Sequence, residues 1–197
     1  MAKYSAGINK NGFWLNELVT VAEMRLDGDD WAAIKSAMVD DNVLLISSRQ
    51  RATQMYGVMN RRLSSLPMPI VDRIPTFDLD SQKIINLIAI MNTELLIKTF
   101  VVEQFRDELI LGDSTIEPYE IQSFFDHLQA THEDVAQWTD QTIHRLSRTI
   151  KNYLKMAGLA VADGDNLIIQ RPILSYELES LLHEEGYSEY VTALTGM

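Results

Sequence analysis

Trp138 to Arg171 reads WTDQTIHRLSRTIKNYLKMAGLAVADGDNLIIQR. Placed on a helix at about 100° per residue, Gln141 to Ala157 gathers Ile143, Leu146, Ile150, Tyr153, Leu154 and Ala157 on one face. His144, Arg145, Arg148, Lys151, Asn152 and Lys155 fall on the opposite face, with no carboxylate among them. Thr139 or Asp140 offers a side-chain oxygen to cap the helix, and Gly158 is its expected stop. Leu159–Ala162 and Leu167–Gln170 then flank Asp163-Gly164-Asp165-Asn166, a run with strong turn chemistry, so a short hairpin follows. A basic-faced helix leading into a small hairpin is the order of a winged helix-turn-helix. The stretch predicts a non-enzymatic nucleic-acid-binding protein.

The rest of the chain sets bounds on that reading. It has 197 residues, 46% of them hydrophobic, enough for one large domain or two small ones with a real core. Cysteine is absent, which excludes a disulfide framework, thiolate metal sites and a cysteine nucleophile. MAKYSAGINKNGFW at the start has no apolar core of signal-peptide length, and a cytoplasmic location is expected. The net charge of -11 opposes DNA binding as a whole-chain sum, but phosphate binding depends on where the charges sit. Arg49, Arg51, Arg61, Arg62 and Arg73 cluster early with Asp72 as their only acid, and the next basic group is the Gln141–Lys155 helix. Acids gather elsewhere, over Glu103–Asp126 and in the tail from Glu177 to Glu189.

Four regions are expected: helical residues 1–68, apolar central helices over 69–115, a winged-helix region over 116–172, and a C-terminal helix with an acidic tail over 173–197. In the first, helices are expected from Gly12 to Leu26, from Trp31 to about Leu45 behind Asp29 or Asp30, and from Arg49 to Leu66 behind Ser47 or Ser48. These three helices make either a candidate second helix-turn-helix or an ordinary bundle whose third helix has a basic solvated face. PMPIVDRIP, Pro67 to Pro75, reads as a linker because its prolines block a continuous helix. Ser81 to Leu111 is the most apolar region. A membrane span needs about 20 nearly uninterrupted apolar residues, and Asn86, Asn92, Glu94 and Lys98 interrupt this one, which therefore reads as a buried helical centre. Tyr119 to Leu128 is a helix with Pro118 in its first turn, and His132 to Trp138 a brief one. Ser175 to Glu184 is the last helix expected, with Gly186 to Met197 a short acidic close. The hairpin is the only β-structure foreseen, so the class is mainly α.

No phosphate loop, dinucleotide fingerprint, nucleophile elbow or zinc-binding helix motif occurs. His127 and His132 read as packing or surface residues, and Glu94 with Lys98 as simple helix support. Neither a catalytic site, a metal nor a cofactor is expected, and no small-molecule substrate. On the basic helix, Arg145, Arg148, Lys151 and Lys155 are suited to neutralise phosphates and release counterions. Gln141, Thr142, His144 and Arg145, near its start, are placed to reach base edges in a major groove, with Asn152 on the same face. Arg171 at the end of the wing is a candidate phosphate or minor-groove contact. Arg49, Arg51, Arg61 and Arg62 form the earlier candidate set. The partner this predicts is duplex DNA, not a membrane.

The chain also resembles the BrxA family, accessory proteins of bacterial BREX phage-defence systems once catalogued as inner-membrane proteins. The resemblance rests on YSAGINKNGFWLNE, DGDDWAAIKSAMVDDNVL and SSRQRATQMYGVMNRRLSSL, the apolar middle, WTDQTIHRLSRTIKNYLKMAGL, and RPILSYELESLLHEEG. It implies a small, mostly helical cytoplasmic DNA-binding protein without catalysis of its own, acting beside other BREX components. The membrane label is then a misreading of Ile84 to Val102. Two other functions stay open: an adaptor docking defence proteins through the acidic tail and the apolar face of the wing, and RNA binding by the arginine-rich early helix, as in helical antitermination factors.

Overall fold

Side-chain oxygens begin several of the helices. In the computed structural model, which describes residues 3–112 and 114–197, the chain divides into two units, residues 13–93 and residues 1–12 with 94–197.

In the unit 13–93, α1 (Leu15–Leu26) is entered through Trp14, a left-handed residue at φ 52 and ψ 51. A bulky side chain there costs on the order of 1–3 kcal/mol, so neighbouring contacts must hold it. The Phe13 carbonyl, just before it, accepts from Arg62 Nη1 at 2.7 Å and from Asn86 Nδ2 at 2.8 Å. Helix α2 (Trp31–Val39) starts at Asp30, whose carboxylate accepts from the amides of Ala32 and Ala33 at 2.9 and 2.8 Å. It stops well short of the Leu45 expected from the sequence. Asn42 and Leu45 are both left-handed at φ 51, and the Asn42 side chain brackets Ile46, donating to its carbonyl and accepting from its amide. Such local side-chain bonding competes with helix extension.

Ser48 caps α3 (Arg49–Ser64), which buries Ala52, Met55, Val58, Met59 and Leu63. The expected linker Pro67–Pro75 is instead α4 (Met68–Arg73) and a 3-10 turn over Ile74–Thr76. Pro67 and Pro69 sit at the cap and in the first turn, where a missing N–H loses no helical bond. Ile70, Val71 and Ile74 drive the segment into the core. Asp78 caps α5 (Leu79–Thr93), its carboxylate accepting from the amides of Asp80 and Ser81 and from the Ser81 hydroxyl. The Ser81 amide and hydroxyl hold that carboxyl below the usual carboxylate range. Every residue of α5 from Ile84 to Met91 is buried. Among the described residues no single helix is long and apolar enough to cross a membrane.

In the other unit, the apolar run resumes after an extended Glu94 as α6 (Leu95–Thr99), a π-helical stretch Phe100–Phe105, and α7 (Arg106–Leu111). The wider π turn closes bonds five residues apart, as from the Arg106 amide to the Val101 carbonyl, and lets Phe100 and Phe105 both point inward. The Lys98 ammonium lies 3.4 Å from Glu189 and over the Tyr190 ring. Helix α8 (Pro118–Thr131) begins with a reciprocal capping box of Glu117 and Glu120, and α9 (Glu133–Ala136) is a single turn. Then comes α10 (Asp140–Met156), with Thr139 as its cap. Phe100, Phe124 and Phe125 make edge-to-face contacts in turn, and Phe125 continues the aromatic chain to Trp138 at a tilt.

The strands form one antiparallel sheet in the order β1 (Thr115–Ile116), β3 (Asn166–Ile169), β2 (Ala160–Asp163). The hairpin β2–β3 pairs Asp163 with Asn166 around Gly164 and Asp165, and β1 adds a third strand that was not expected, pairing Thr115 with Ile168. Two residues are too few to carry a period of two. Ser175 caps α11 (Tyr176–Glu184), and the presumed acidic close is a helix, α12 (Ser188–Thr195), with Tyr190, Val191, Ala193, Leu194 and Thr195 buried. It packs on the π-helical stretch and α7. The structure is mainly α with a small sheet.

Candidate nucleic-acid interface

Helix α10 sorts its residues as the period requires. Ile143, Leu146, Ile150, Tyr153 and Leu154 are buried, while Gln141, His144, Arg145, Arg148, Asn152 and Lys155 are exposed and Thr142 and Lys151 half-buried. Among the described residues, Arg145, Arg148 and Lys155 form no ion pair. Thr142 belongs to the cap: its amide donates to Thr139 Oγ1 at 3.3 Å, with the two hydroxyls 3.1 Å apart.

Two recesses flank the basic face. The larger, about 770 Å³, is lined by His144, Arg148, Lys151 and Lys155 of α10, the hairpin turn at Gly164–Asn166, and Pro118, Ile121 and Gln122 of α8. It is cationic in balance but not purely so, because Asp140 and Asp165 also line it. Lys151 is committed there: its ammonium donates to the Asp165 carbonyl at 2.6 Å, tying the helix to the hairpin turn. The smaller recess, about 270 Å³, is lined by Arg145, Arg148, Thr149, Asn152 and Asn9. Asn9 lies in a 3-10 turn over Ala6–Lys10, which Tyr153 holds by donating to the Asn11 carbonyl at 2.8 Å. Thr149 Oγ1 lies 3.0 Å from Asn9 Oδ1. Sequence reasoning missed Asn9, and no local signal marks it, since its partner lies 140 positions away.

The remaining candidates are placed differently. Arg171 donates to the Leu109 carbonyl at 3.3 Å, at the end of α7, and lines neither recess. On α3, Arg51 and Arg61 are exposed, and Arg49 is exposed but paired with Asp40 at 2.6 Å. Arg62 is not a surface group at all. It is 2% exposed, bonded to the Phe13 carbonyl, with its guanidinium 5.9 Å from the Trp14 ring centroid. A guanidinium so buried holds the entry to α1 and is not available to a phosphate.

Histidines other than His144 lie away from the two recesses. His132 stacks at a tilt on Tyr4, and His183 Nδ1 is 2.8 Å from the Ser188 hydroxyl. Among the described residues no group of three or more His, Asp or Glu side chains could hold a metal ion.

Comparison with known proteins adds what geometry alone cannot. The whole fold is similar to the crystal structure of an uncharacterized protein from Magnetospirillum magneticum, with a TM-score of 0.80, 17% identity and 100% of both chains covered. In sequence the chain is 24% identical over 193 residues to the BREX protein BrxA of Bacillus cereus (strain H3081.97), covering 98% of this chain and 96% of that one. The family model of BrxA matches residues 2–186. With a match over nearly its full length, the chain belongs to the BrxA family.

Proposed function

We propose that this protein is an accessory component of a bacterial BREX phage-defence system and binds duplex DNA through the basic face of α10, without chemistry of its own. Membership of the family and the similarity to a BREX protein support the accessory role in defence, and with it other BREX proteins as partners. One observation carries the DNA reading. Arg145, Arg148 and Lys155 stand exposed and, among the described residues, without ion pairs on a single helix face, beside a hairpin anchored to that helix by Lys151. The succession α8, α9, α10 and β2–β3 gives helix, short helix, long helix and hairpin, which is the order of a winged helix. In that reading α10 is the recognition helix. Its first turns, with Gln141, His144 and Arg145, approach base edges, and the cations further along engage phosphates. The negative charge of the whole chain keeps the field away from this face unfavourable to polyanions, so binding is expected only there.

The test is a fluorescence anisotropy titration of the full chain with a random-sequence DNA duplex at several salt concentrations, with an unlabelled RNA duplex of the same sequence as competitor. Binding whose logarithm falls linearly with the logarithm of salt supports the reading. No binding at low salt by folded protein refutes it. Displacement by RNA at lower concentration than by DNA would transfer the function to RNA.

A further inference from the structure

The smaller recess on α10 has a chemistry that the larger one lacks. Taking Arg148 as the centre of the exposed face, His144, Lys151 and Lys155 turn to the side that carries the hairpin, and Arg145, Thr149 and Asn152 to the other. The wall on that second side is the turn Ala6–Lys10. It is fixed in place rather than draped there. Ile8 is 1% exposed, Tyr153 donates to the Asn11 carbonyl, and the Thr149 hydroxyl meets Asn9 Oδ1. The same hydroxyl lies 3.1 Å from the Arg145 carbonyl and shares its one hydrogen between the two acceptors; with Oδ1 facing Thr149, the Asn9 amide nitrogen keeps both of its hydrogens for another acceptor. Two guanidiniums and two side-chain amides therefore converge on a recess of about 270 Å³ that no carboxylate lines. A set this rich in donors, with two fixed positive charges and no carboxylate, suits a singly charged, many-oxygen anion.

We infer that this recess binds a backbone phosphodiester of duplex DNA, and that the N-terminal turn, through Asn9, is a second wall of the DNA seat on the side of α10 away from the hairpin. The inference rests on the DNA-binding reading and adds to it a residue and an element. A helix lying in a groove has a phosphate backbone on either side, and here each side meets a different structure: the hairpin on one, the turn on the other.

The experiment compares wild type, Asn9→Asp, Asn9→Ala and Asn152→Asp in the same anisotropy titration with a random-sequence DNA duplex. Aspartate is isosteric with Asn9 and still accepts from Thr149, but it puts a negative charge where the phosphate would sit. Asn152→Asp puts that charge into the same recess from an exposed helix position, which keeps the test readable if changes at Asn9 disturb the turn. Both aspartate variants should weaken binding about tenfold at low salt, with the gap closing as salt rises, and Asn9→Ala about two- to threefold. Wild-type binding matched by both aspartate variants at every salt concentration overturns this inference and leaves the hairpin side of the interface standing. A wild type that binds no duplex overturns the DNA reading itself, and this inference with it.

Discussion

Replacing Arg145, Arg148 and Lys155 together with alanine removes three exposed cations from one face of α10 and touches no ion pair among the described residues. Each phosphate neutralised by a Lys or Arg contributes about 0.9 to the slope of log affinity against log salt on B-form DNA, so the triple variant should lose a slope of about 2.7. Lys151 is left out of the sum because its ammonium already serves the Asp165 carbonyl. Extrapolated from a common value near 1 M salt, that slope is about a 500-fold difference in affinity at about 0.1 M. Between about 50 and 200 mM, wild type should lose about 40-fold more affinity than the variant does. Exposed positions of this kind change stability by no more than about 0.5 kcal/mol, so a thermal melt can show that the fold is intact. The assay is an anisotropy titration at four or more salt concentrations. A variant with the wild-type slope and an affinity within threefold of wild type would refute the assignment of α10 as the phosphate-binding element.

Further outcomes follow from the packing. Arg62→Ala removes a charge-assisted bond and a buried stem, though Asn86 still serves the Phe13 carbonyl, so the loss should be about 2–3 kcal/mol in a denaturant melt. Arg61→Ala should sit within about 0.5 kcal/mol of wild type, and equal effects at the two positions would show that Arg62 is not buried. Asp78→Ala uncaps α5 and should cost about 1 kcal/mol at neutral pH. The folded protein holds the Asp78 carboxyl below its ordinary value of 3.8, so its contribution is fully present above that value and is lost as pH falls through the lower, folded one. The stability gap between wild type and Asp78→Ala should thus narrow only below about pH 4, and a gap that narrowed near neutrality would point to another group. Tyr153→Phe removes the hydroxyl that bonds the Asn11 carbonyl, at a cost of about 1 kcal/mol. Amide exchange over Ala6–Lys10 should quicken in that variant, and unchanged protection would mean the turn is held by other contacts.

What the sequence makes legible is what is encoded locally. Helix α10 is readable because its apolar and basic residues separate cleanly around the helix, and the caps Asp30, Ser48, Thr139 and Ser175 each bond within three residues of themselves. The hairpin follows from a turn whose chemistry is contained in four residues. Features that depend on distant partners are not readable in this way. The strand β1 exists only because Ile168 and Leu167 lie beside it, some fifty positions on. The Pro67–Pro75 segment folds as a helix because Ile70, Val71 and Ile74 find a core, an outcome that outweighs the usual meaning of its prolines. Arg62 shows two rules in conflict. Its spacing from Met55, Val58 and Met59 puts it on the buried stripe of α3, and its charge argues for the surface; here the period was the better guide. In the candidate interface the α10 side chains were visible, whereas Asn9 and the commitment of Lys151 to the hairpin became visible only in three dimensions.

The Asn9–Thr149 contact spans 140 positions of the chain, and this orders events during synthesis. The turn Ala6–Lys10 is synthesised about 140 residues ahead of the helix position that holds it. At a translation rate of about 5–20 residues per second, the wait is roughly 7–28 seconds. Residues 13–93, by contrast, are an uninterrupted stretch, complete before α10 has been made. The wall on the second side of α10 therefore waits for Thr149, the hairpin wall follows once Asp165 has been made, and a chain cut short before Thr149 would form neither.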